Sequence, residues 1–330
     1  MRGGLVNVLI DRHHAGLFHA LQLLGDRLGW TVYTPTGHEW WDAAYWQFGI
    51  VFGDDRLAQQ YLRAEGDVYD PEYPDRIIRT VTLDQAQAMD WGVVMPSVQE
   101  NQAGFARFAS EHGAQFAYHV GNTNQQIDWA LDPAVLNASE MPIDGRGVQI
   151  GEEFDSDGLF AYSPPTESKR ITSFVNCVPE MCVDQPYLAR DLEAIRSDGF
   201  HMHGISGETG NLKPIAAIRD CMAESAWAYH NKPQGDGYGH VLHYWAAIGR
   251  PLIGRGSHYK VKQGWRYWRD METCIDLDLH TYEQAIGIIN ALTSEQHAEM
   301  CRAIRAVFDE ETDWAGDARK VSDLLSLVPA

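Results

Sequence analysis

The sequence predicts an α/β protein that consists of two Rossmann-like domains followed by C-terminal helices. Two observations indicate this fold class. The order strand, helix, strand occurs twice in the first half and starts afresh after residue 166, and amphipathic helical segments follow residue 281. A chain of 330 residues, 45% of them hydrophobic, is long enough for two separate cores. We therefore expect an N-terminal domain at residues 1–165 and a C-terminal domain at residues 166–330, with Pro164 and Pro165 as the hinge.

The first half begins with a short strand that ends near Asp11, and a helix with an α-helical apolar period covers residues 15–28. A second strand follows Gly29 and Trp30. The segments WGVVMPS, VQENQAGFARFASEHG and AQFAYHVG repeat the order of strand, helix and strand over residues 91–121. Residues 34–90 show no regular period between these two repeats, and we interpret them as an insertion and loops.

In the second half, apolar segments predict five strands, in ITSFVNC, FHMHGI, SAWAYH, PLIG and TCIDLD. We expect helices near residues 185–197, from about Leu212, and after the glycine-rich turn at residues 235–239. Three further helical segments follow residue 281. Thr293-Ser294 separates the first from the second, and Thr312-Asp313-Trp314 separates the second from the third.

Composition and charge limit the classes of partner. The formal net charge of −20 repels polyanions, which argues against generic nucleic-acid binding. Five cysteines without a CxxC pair indicate neither a disulfide framework nor a zinc knuckle. We expect no signal peptide and no membrane span, because charged residues interrupt the apolar runs. These features predict a cytoplasmic protein.

The glycine-rich turn in HNKPQGDGYGHVLHYWAAIGRPLI, residues 230–253, has the features of an anion site. Glycines let the backbone approach a ligand closely, and the free N–H groups and the dipole of a helix N-terminus attract negative charge. Lys232 and Arg250 bracket the turn, and His240 stands at the helix start. The spacing matches neither the GxGxxG dinucleotide motif nor a P-loop. Taken alone, the turn could also be no more than a tight connection.

Part of this segment, DGYGHVLHYWAAIGRPLI, resembles the donor-binding segment of GT-B glycosyltransferases, in which an acidic residue, glycine, an aromatic residue and glycine precede a helix and the pattern A-x-G-x-P-[VIL]-I. The matching residues are Asp236, Gly237, Tyr238, Gly239, Ala247, Gly249, Pro251 and Ile253. The resemblance implies two domains that face a cleft, with a nucleotide-sugar donor bound to the second. It implies no cofactor and no bound metal. Tyr244 stands where retaining members carry a second Glu, so the stereochemistry of transfer stays open.

The resemblance also implies a set of donor contacts. A diphosphate calls for basic side chains and backbone N–H groups around it. Because Lys260 follows the PLIG strand in a segment rich in basic residues, we expect it to help neutralise the diphosphate. The expected donor-binding residues are Lys232, Gly235, Gly237, Tyr238, Gly239, His240, Arg250 and Lys260.

His13 and His14 are the candidates for a general base. They follow the first strand, at the edge where open α/β sheets bind ligands, and several GT-B enzymes use a His in this loop. An acceptor hydroxyl must lose its proton as it attacks the anomeric carbon, and imidazole accepts protons near neutral pH. Asp236, the acidic residue of the donor motif, is a further catalytic candidate. Alternatively, the two histidines only cap the following helix or bind loop carbonyls.

Two segments are candidates for acceptor binding. Trp40, Trp41 and Trp46 can stack on sugar rings or bases, with core packing as the alternative. In the basic segment at residues 250–269, Arg266 and Arg269 alternate with aromatic residues, so an anionic acceptor such as a modified nucleic acid is one candidate. A solvated β-hairpin is the alternative for that segment.

These patterns predict a hexosyl- or pentosyltransferase that works without a metal. One alternative is a nucleotide- or sugar-binding protein without turnover. Another is a metal-dependent hydrolase that uses His201 and His203, whose spacing places both side chains on one face of a strand. A Rossmann oxidoreductase is a further alternative, although the first strand is followed by RHHAG rather than by GxGxxG.

Overall fold

The computed structural model describes residues 6–12, 14–46, 68–69, 73–142, 147–175, 189, 191, 200–204, 207, 209–232 and 238–327. The chain forms two units. The first comprises Met1–Phe154 together with Asp313–Ala330, and the second comprises Asp155–Thr312. The boundary expected at residue 165 therefore lies inside the second unit, and the last helix belongs to the first unit.

The first unit contains an eight-stranded sheet with the order β3-β4-β2-β1-β5-β6-β7-β8. Every described pair of neighbours is parallel except β3 and β4, which are antiparallel. The strands are β1 Val6–Leu9, β2 Trp30–Pro35, β3 Val68–Tyr69, β4 Ile77–Val81, β5 Val93–Val94, β6 Gln115–Val120, β7 Ala134–Asn137 and β8 Gly147–Gln149.

The second unit contains a five-stranded, wholly parallel sheet with the order β10-β9-β11-β12-β13. Its strands are β9 Ile171–Ser173, β10 His201–Met202, β11 Trp227–Tyr229, β12 Leu252–Gly254 and β13 Cys274–Asp276. All five lie within the segments that the apolar pattern predicts. The α/β fold class with two parallel sheets is thus confirmed.

Nine α-helices lie in the described part of the chain. They are α1 Ala15–Leu28, α2 Glu39–Asp42, α3 Leu83–Gln87, α4 Gln102–His112, α5 Ile215–Glu224, α6 His240–Ile248, α7 Tyr282–Ala291, α8 Ser294–Glu311 and α9 Trp314–Leu327. The helix expected at 185–197 lies outside the described residues except for Ala189 and Asp191. No helix in the described ranges has the length and apolar character that a membrane span requires.

Apolar side chains cover both faces of the first sheet. One cluster joins α1 and α9 to one face, and it includes Phe18, Leu21, Ala318 and Val321. A second cluster lies on the other face of the sheet. It joins β1, β4 and β5 to α4 and to Trp40, Tyr45 and Trp46, which follow β2. Helices on both faces are what a parallel sheet requires to bury its strands.

Residues 34–90 are more regular than expected. β4 pairs in parallel with β2, from Tyr33 and Arg79 to Pro35 and Val81. Helix α3 follows directly, and Thr82 and Gln85 form a reciprocal capping box at its start. The interpretation of this whole region as insertion and loops is therefore wrong. Arg79 interrupts the apolar run of IIRTV, which hides a short strand from a periodicity search.

The tail has the three predicted helices. Helix α7 begins after Thr281 and helix α8 after Thr293, and each has a capping box with the glutamine three residues later. Helix α9 packs against α1 and β8 within the first unit. The separators Thr293-Ser294 and Thr312-Asp313-Trp314 mark the helix boundaries as predicted.

Candidate functional site

Ligands of parallel α/β sheets bind at the carboxyl ends of the strands. In the second unit, this edge contains the residues after β11, the start of α6 and the segment after β12. Gly235, Asp236 and Gly237, which the sequence places in the preceding turn, lie outside the described residues. The geometry of the site is therefore built from the residues on either side of that turn.

Helix α6 begins immediately after Gly239, which has φ 75° in the left-handed region that glycine adopts without strain. The carbonyl of Gly239 accepts the N–H groups of Leu242 and His243. The ring of Tyr238 stacks on His243 with centroids 4.1 Å apart, and it meets His240 edge-on at 5.4 Å. Tyr238, Gly239 and His240 are thus together at the helix N-terminus.

A group that we call the lysine cluster, Lys232, Tyr259 and Lys262, lies beside this edge. The Tyr259 hydroxyl accepts the Lys232 N–H at 3.3 Å, and the Lys262 ammonium donates to the Lys232 carbonyl at 3.3 Å. The Lys262 ammonium is also 4.8 Å from the centre of the Tyr259 ring. Lys262 is only 7% exposed, whereas Lys260 is exposed. The cluster thus fixes the Lys262 ammonium against the backbone of Lys232, which follows β11 at the carboxyl edge of the sheet.

Sequence reasoning did not single out Lys262. Its burial depends on two 3-10 helices, Gly256–His258 and Gln263–Tyr267, which fold the segment after β12. Gly264 in the second of these packs against Leu242 of α6. A β-hairpin is therefore not the structure of this segment. The local sequence YKVKQG does not indicate that Lys262 is buried and Lys260 is exposed.

Arg250 does not have its predicted role in donor binding. Its side chain is fully buried, and burial lowers the pKa of the guanidinium. The nitrogens donate to six backbone carbonyls, those of Ser163, Pro164, Ala223, Ser225, Ile248 and Gly249. These bonds use the donors that a diphosphate would need, so Arg250 instead fixes the backbone around the end of α6.

The carboxyl edge of the first sheet contains the proposed base. His14 is the exposed residue before α1, with extended backbone and no capping hydrogen bond from its side chain. His13 lies outside the described residues. Asp11, shortly before these histidines, is fully buried. Its carboxylate accepts the backbone N–H groups of Ser97 and Val98. It also accepts the Ser97 hydroxyl at 2.6 Å and the Asn101 side-chain amide at 2.7 Å. Burial raises the pKa of Asp11 to about 6, although these hydrogen bonds oppose the rise.

The tryptophans proposed for acceptor binding are largely core residues. Trp40 and Trp46 are 1% and 4% exposed, and Trp40 donates its indole N–H to the Val81 carbonyl at 3.0 Å. Trp41 is partly buried against the same apolar cluster. Buried rings cannot stack on a ligand, so the acceptor-binding prediction is wrong for Trp40 and Trp46.

Arg266 and Arg269 form ion pairs within the second unit. Arg266 binds Glu311, and Arg269 lies 3.1 Å from Glu272 and 4.0 Å from Glu310. These acids compensate the positive charge that suggested an anionic acceptor. The case for a nucleic-acid partner therefore loses its electrostatic basis.

His203 of the HMH segment has neighbours that differ from those of a metal ligand. His203 is buried, stacks on Phe174, and has ring nitrogens 3.0 Å from the Gly210 carbonyl and 3.5 Å from the Cys221 sulfur. Within the described ranges, no three His, Cys, Asp or Glu side chains are grouped as a metal site would require. Asp276 and Asp278 accept the N–H groups of Gly256 and Ser257, so the DLD sequence holds the loop after β12.

Tyr244, at the position of the second Glu of retaining enzymes, is a packing residue. It is 3% exposed, and its ring stacks on Phe160 at 4.0 Å. The position of the second Glu is thus occupied by an aromatic side chain that has no carboxylate.

Comparison with known proteins gives a consistent fold. No protein-family model matches the chain. No curated protein matches it in sequence. Among solved structures, the chain resembles Anabaena HepE in complex with UDP and glucose, with TM-score 0.62 and 11% identity over 98% of this chain and 100% of that one.

Two further structures lead to the same result. A glycosyltransferase from Rickettsia africae ESF-5 has TM-score 0.59 and 10% identity over 98% of both chains. Sucrose-phosphate synthase from Thermosynechococcus elongatus has TM-score 0.59 and 11% identity over 97% of this chain and 98% of that one. Identities this low show similarity of fold alone. The chain therefore has the α/β fold of GT-B glycosyltransferases.

Proposed function

We propose that this protein is a glycosyltransferase that moves a sugar from a nucleotide-sugar donor to an acceptor hydroxyl. The observation that carries the proposal is the carboxyl edge of the second sheet, which bears both the start of α6 and the residues after β11, where the Lys262 ammonium donates to the Lys232 carbonyl. A helix N-terminus with adjacent ammonium groups suits a diphosphate. The fold supports the reaction class, because HepE with this fold is described with UDP and glucose.

The leaving diphosphate needs stabilisation as the bond to the sugar breaks. In our proposal, the backbone N–H groups at the start of α6, His240, Lys232 and Lys262 supply it, without a bound divalent metal. Lys260 remains a predicted further contact from the exposed side of the same segment. A buried ammonium such as that of Lys262 interacts more strongly with an anion than one in bulk water does.

His14 is the proposed base on the acceptor side, with His13 as the second candidate. The imidazole takes the hydroxyl proton while the acceptor oxygen forms a bond to the anomeric carbon, and the diphosphate leaves with the electron pair of the broken bond. Asp11 positions the end of β1 before both histidines, because its carboxylate accepts hydrogen bonds from Ser97, Val98 and Asn101. The role of Asp236 as a further catalytic group remains part of the proposal.

A thermal-shift screen against sugar nucleotides tests the donor class. A bound donor at 100 times its dissociation constant should stabilise the fold by about 2.7 kcal/mol. Each donor that stabilises the protein is then used with its own sugar labelled and with EDTA present. Release or transfer of the labelled sugar is measured. Release or transfer in EDTA supports a metal-independent transferase. Binding without any release favours the non-catalytic alternative, and hexose and pentose donors in the panel separate the two sugar classes.

Replacement of the proposed base should affect turnover without affecting donor binding. His14→Ala is expected to lower kcat by about 10²- to 10⁴-fold, because proton removal occurs in the transition state. His112→Ala, at the opposite edge of the same sheet, is the matched control and should retain full activity. Full activity in His14→Ala would move the role to His13, and full activity in both single variants would exclude both.

A further inference from the structure

One exposed aromatic residue stands out near the proposed donor site. Among the described residues, the large apolar side chains with high exposure are Ile77, Val261, Trp265, Met271 and Leu279. Trp265 is the aromatic one among them, with 52% exposure, and Val261 in the same segment is 63% exposed. Exposed indole surface forgoes the free energy that burial would provide, so a ligand that covers the ring recovers part of it.

Hydrogen bonds order the backbone of Trp265, and one charged side chain lies over its ring. Trp265 lies in the 3-10 helix Gln263–Tyr267; its N–H donates to the Lys262 carbonyl at 3.1 Å, and its carbonyl accepts the Trp268 N–H at 3.2 Å. The Arg266 guanidinium lies 5.5 Å from the centre of the Trp265 ring, and Glu311 binds that guanidinium. An ordered backbone and a paired guanidinium over the ring lower the entropy that ligand binding would cost.

The 3-10 helix that carries Trp265 contacts α6, the helix of the proposed donor site. Tyr267 at the end of the same 3-10 helix is 1% exposed, and its hydroxyl lies 2.9 Å from Nδ1 of His243 in α6. His243 in turn stacks on Tyr238 at the start of α6. Lys262 is buried in the lysine cluster, whereas Trp265 faces solvent three residues later. Trp265 therefore lies on the outside of the segment that supplies the proposed diphosphate contact.

We propose that Trp265 binds a ring of a neutral saccharide, with Val261 as a second exposed apolar side chain of the same segment, and we call these two residues the apolar platform. The apolar C–H face of a pyranose packs against the electron-rich face of an indole. The arginines beside the platform are paired with Glu311, Glu272 and Glu310, so a polyanion gains little there. One indole and one valine are far smaller than a stable protein interface requires. The saccharide acts as the acceptor only if the proposed glycosyl transfer is correct.

An array of neutral gluco-, galacto- and manno-oligosaccharides of about two to six units tests this proposal with the full chain. We expect the wild type to bind at least one class, and Trp265→Ala to weaken that binding by roughly tenfold or more. Trp265→Phe should retain part of the affinity. Leu279→Ala, which removes another exposed apolar side chain, is the control and should bind as the wild type does. Melting temperatures of all variants check that the exposed substitutions leave the fold intact.

Three results would overturn the proposal: no neutral oligosaccharide binds the wild type, Trp265→Ala binds as well as the wild type, or Leu279→Ala loses as much affinity. A single-stranded oligonucleotide is tested in parallel, and binding that depends on Trp265 would assign the platform to nucleic acid instead. Titration with nucleoside diphosphates on the same samples reports the donor site separately. Saccharide binding without nucleotide binding would thus contradict the proposed transfer while it supports the platform.

Discussion

Arg250 shows how a residue chosen for its charge can have a structural role. Its guanidinium reaches six backbone carbonyls from three places, the segment 163–164, the end of α5 and the end of α6. Neutral carbonyls in this number satisfy a buried cation without a carboxylate. The pattern Gly-Arg-Pro shows a basic residue near a turn, but it does not show which way the side chain points.

Substitution of Arg250 should destabilise the second unit. Arg250→Ala leaves several buried carbonyls without donors, and we expect a loss of roughly 3–5 kcal/mol in the free energy of unfolding. Arg250→Lys keeps the charge but offers fewer donors, so it should fall between Ala and the wild type. Urea denaturation measures both. Wild-type stability in Arg250→Ala, together with weaker nucleotide binding, would restore the original donor-binding role.

His119 should make the first unit sensitive to acid. It is 1% exposed, and burial lowers its pKa to about 4, with Glu152 opposing the shift. An unfolded imidazole titrates near 6.5, so below this pH the unfolded chain gains a proton that the folded chain does not accept. The free energy of unfolding should fall between pH 6.5 and 4, by at most roughly 3 kcal/mol from this residue. His119→Gln should flatten the pH dependence measured by urea denaturation.

Asp11 should have the opposite effect. Its pKa rises from 3.8 to about 6 on folding, so its contribution to stability is present at low pH and is lost as pH rises through 6. Asp11→Asn removes this compensation, and acid should then destabilise the protein more steeply than it does the wild type. A shallower pH dependence in Asp11→Asn would contradict this assignment.

At the scale of elements, the sequence predicts the long helices and the strands in apolar segments better than the short elements of residues 34–90. Helix α1 has the expected bounds, because a continuous apolar period ends at Gly29, whose φ of 70° terminates the helix. β4 was missed because its five residues include Arg79, and a strand of that length offers few positions for a period. The burial of Trp40 and Lys262 follows from packing between distant segments, which local patterns do not contain.

Helix α8 provides a test of the capping signals. Thr293 Oγ1 accepts the Gln296 N–H at 3.2 Å, and the Gln296 side chain accepts the Thr293 N–H at 3.0 Å. Thr293→Ala should lower the free energy of unfolding by about 1 kcal/mol. Ser294→Ala, one residue into the helix, is the control and should have little effect. Equal stability of both variants in urea would show that the capping box contributes nothing.

At the scale of the molecule, the two-sheet architecture could be predicted because strand and helix patterns alternate in each half. The candidate site could be predicted only in part. The glycine-rich segment leads to the start of α6, where Tyr238, Gly239 and His240 lie together. The burial of Lys262 and the exposure of Trp265 depend on the fold of residues 255–268. The 3-10 helices in this segment have no periodic apolar pattern in the sequence.

The central claim is that a nucleoside diphosphate binds at the start of α6 beside the lysine cluster. Calorimetric titration of UDP, GDP and ADP into the wild type, Lys262→Ala and Lys169→Ala tests it most directly. Lys169 is an exposed lysine that precedes β9, at the opposite edge of the same sheet, so it serves as the matched control. We expect one of the nucleotides to bind the wild type and Lys169→Ala equally, and Lys262→Ala to bind it more weakly by roughly 1.5–3 kcal/mol. Absence of binding by all three nucleotides, or unchanged binding by Lys262→Ala, would contradict the claim.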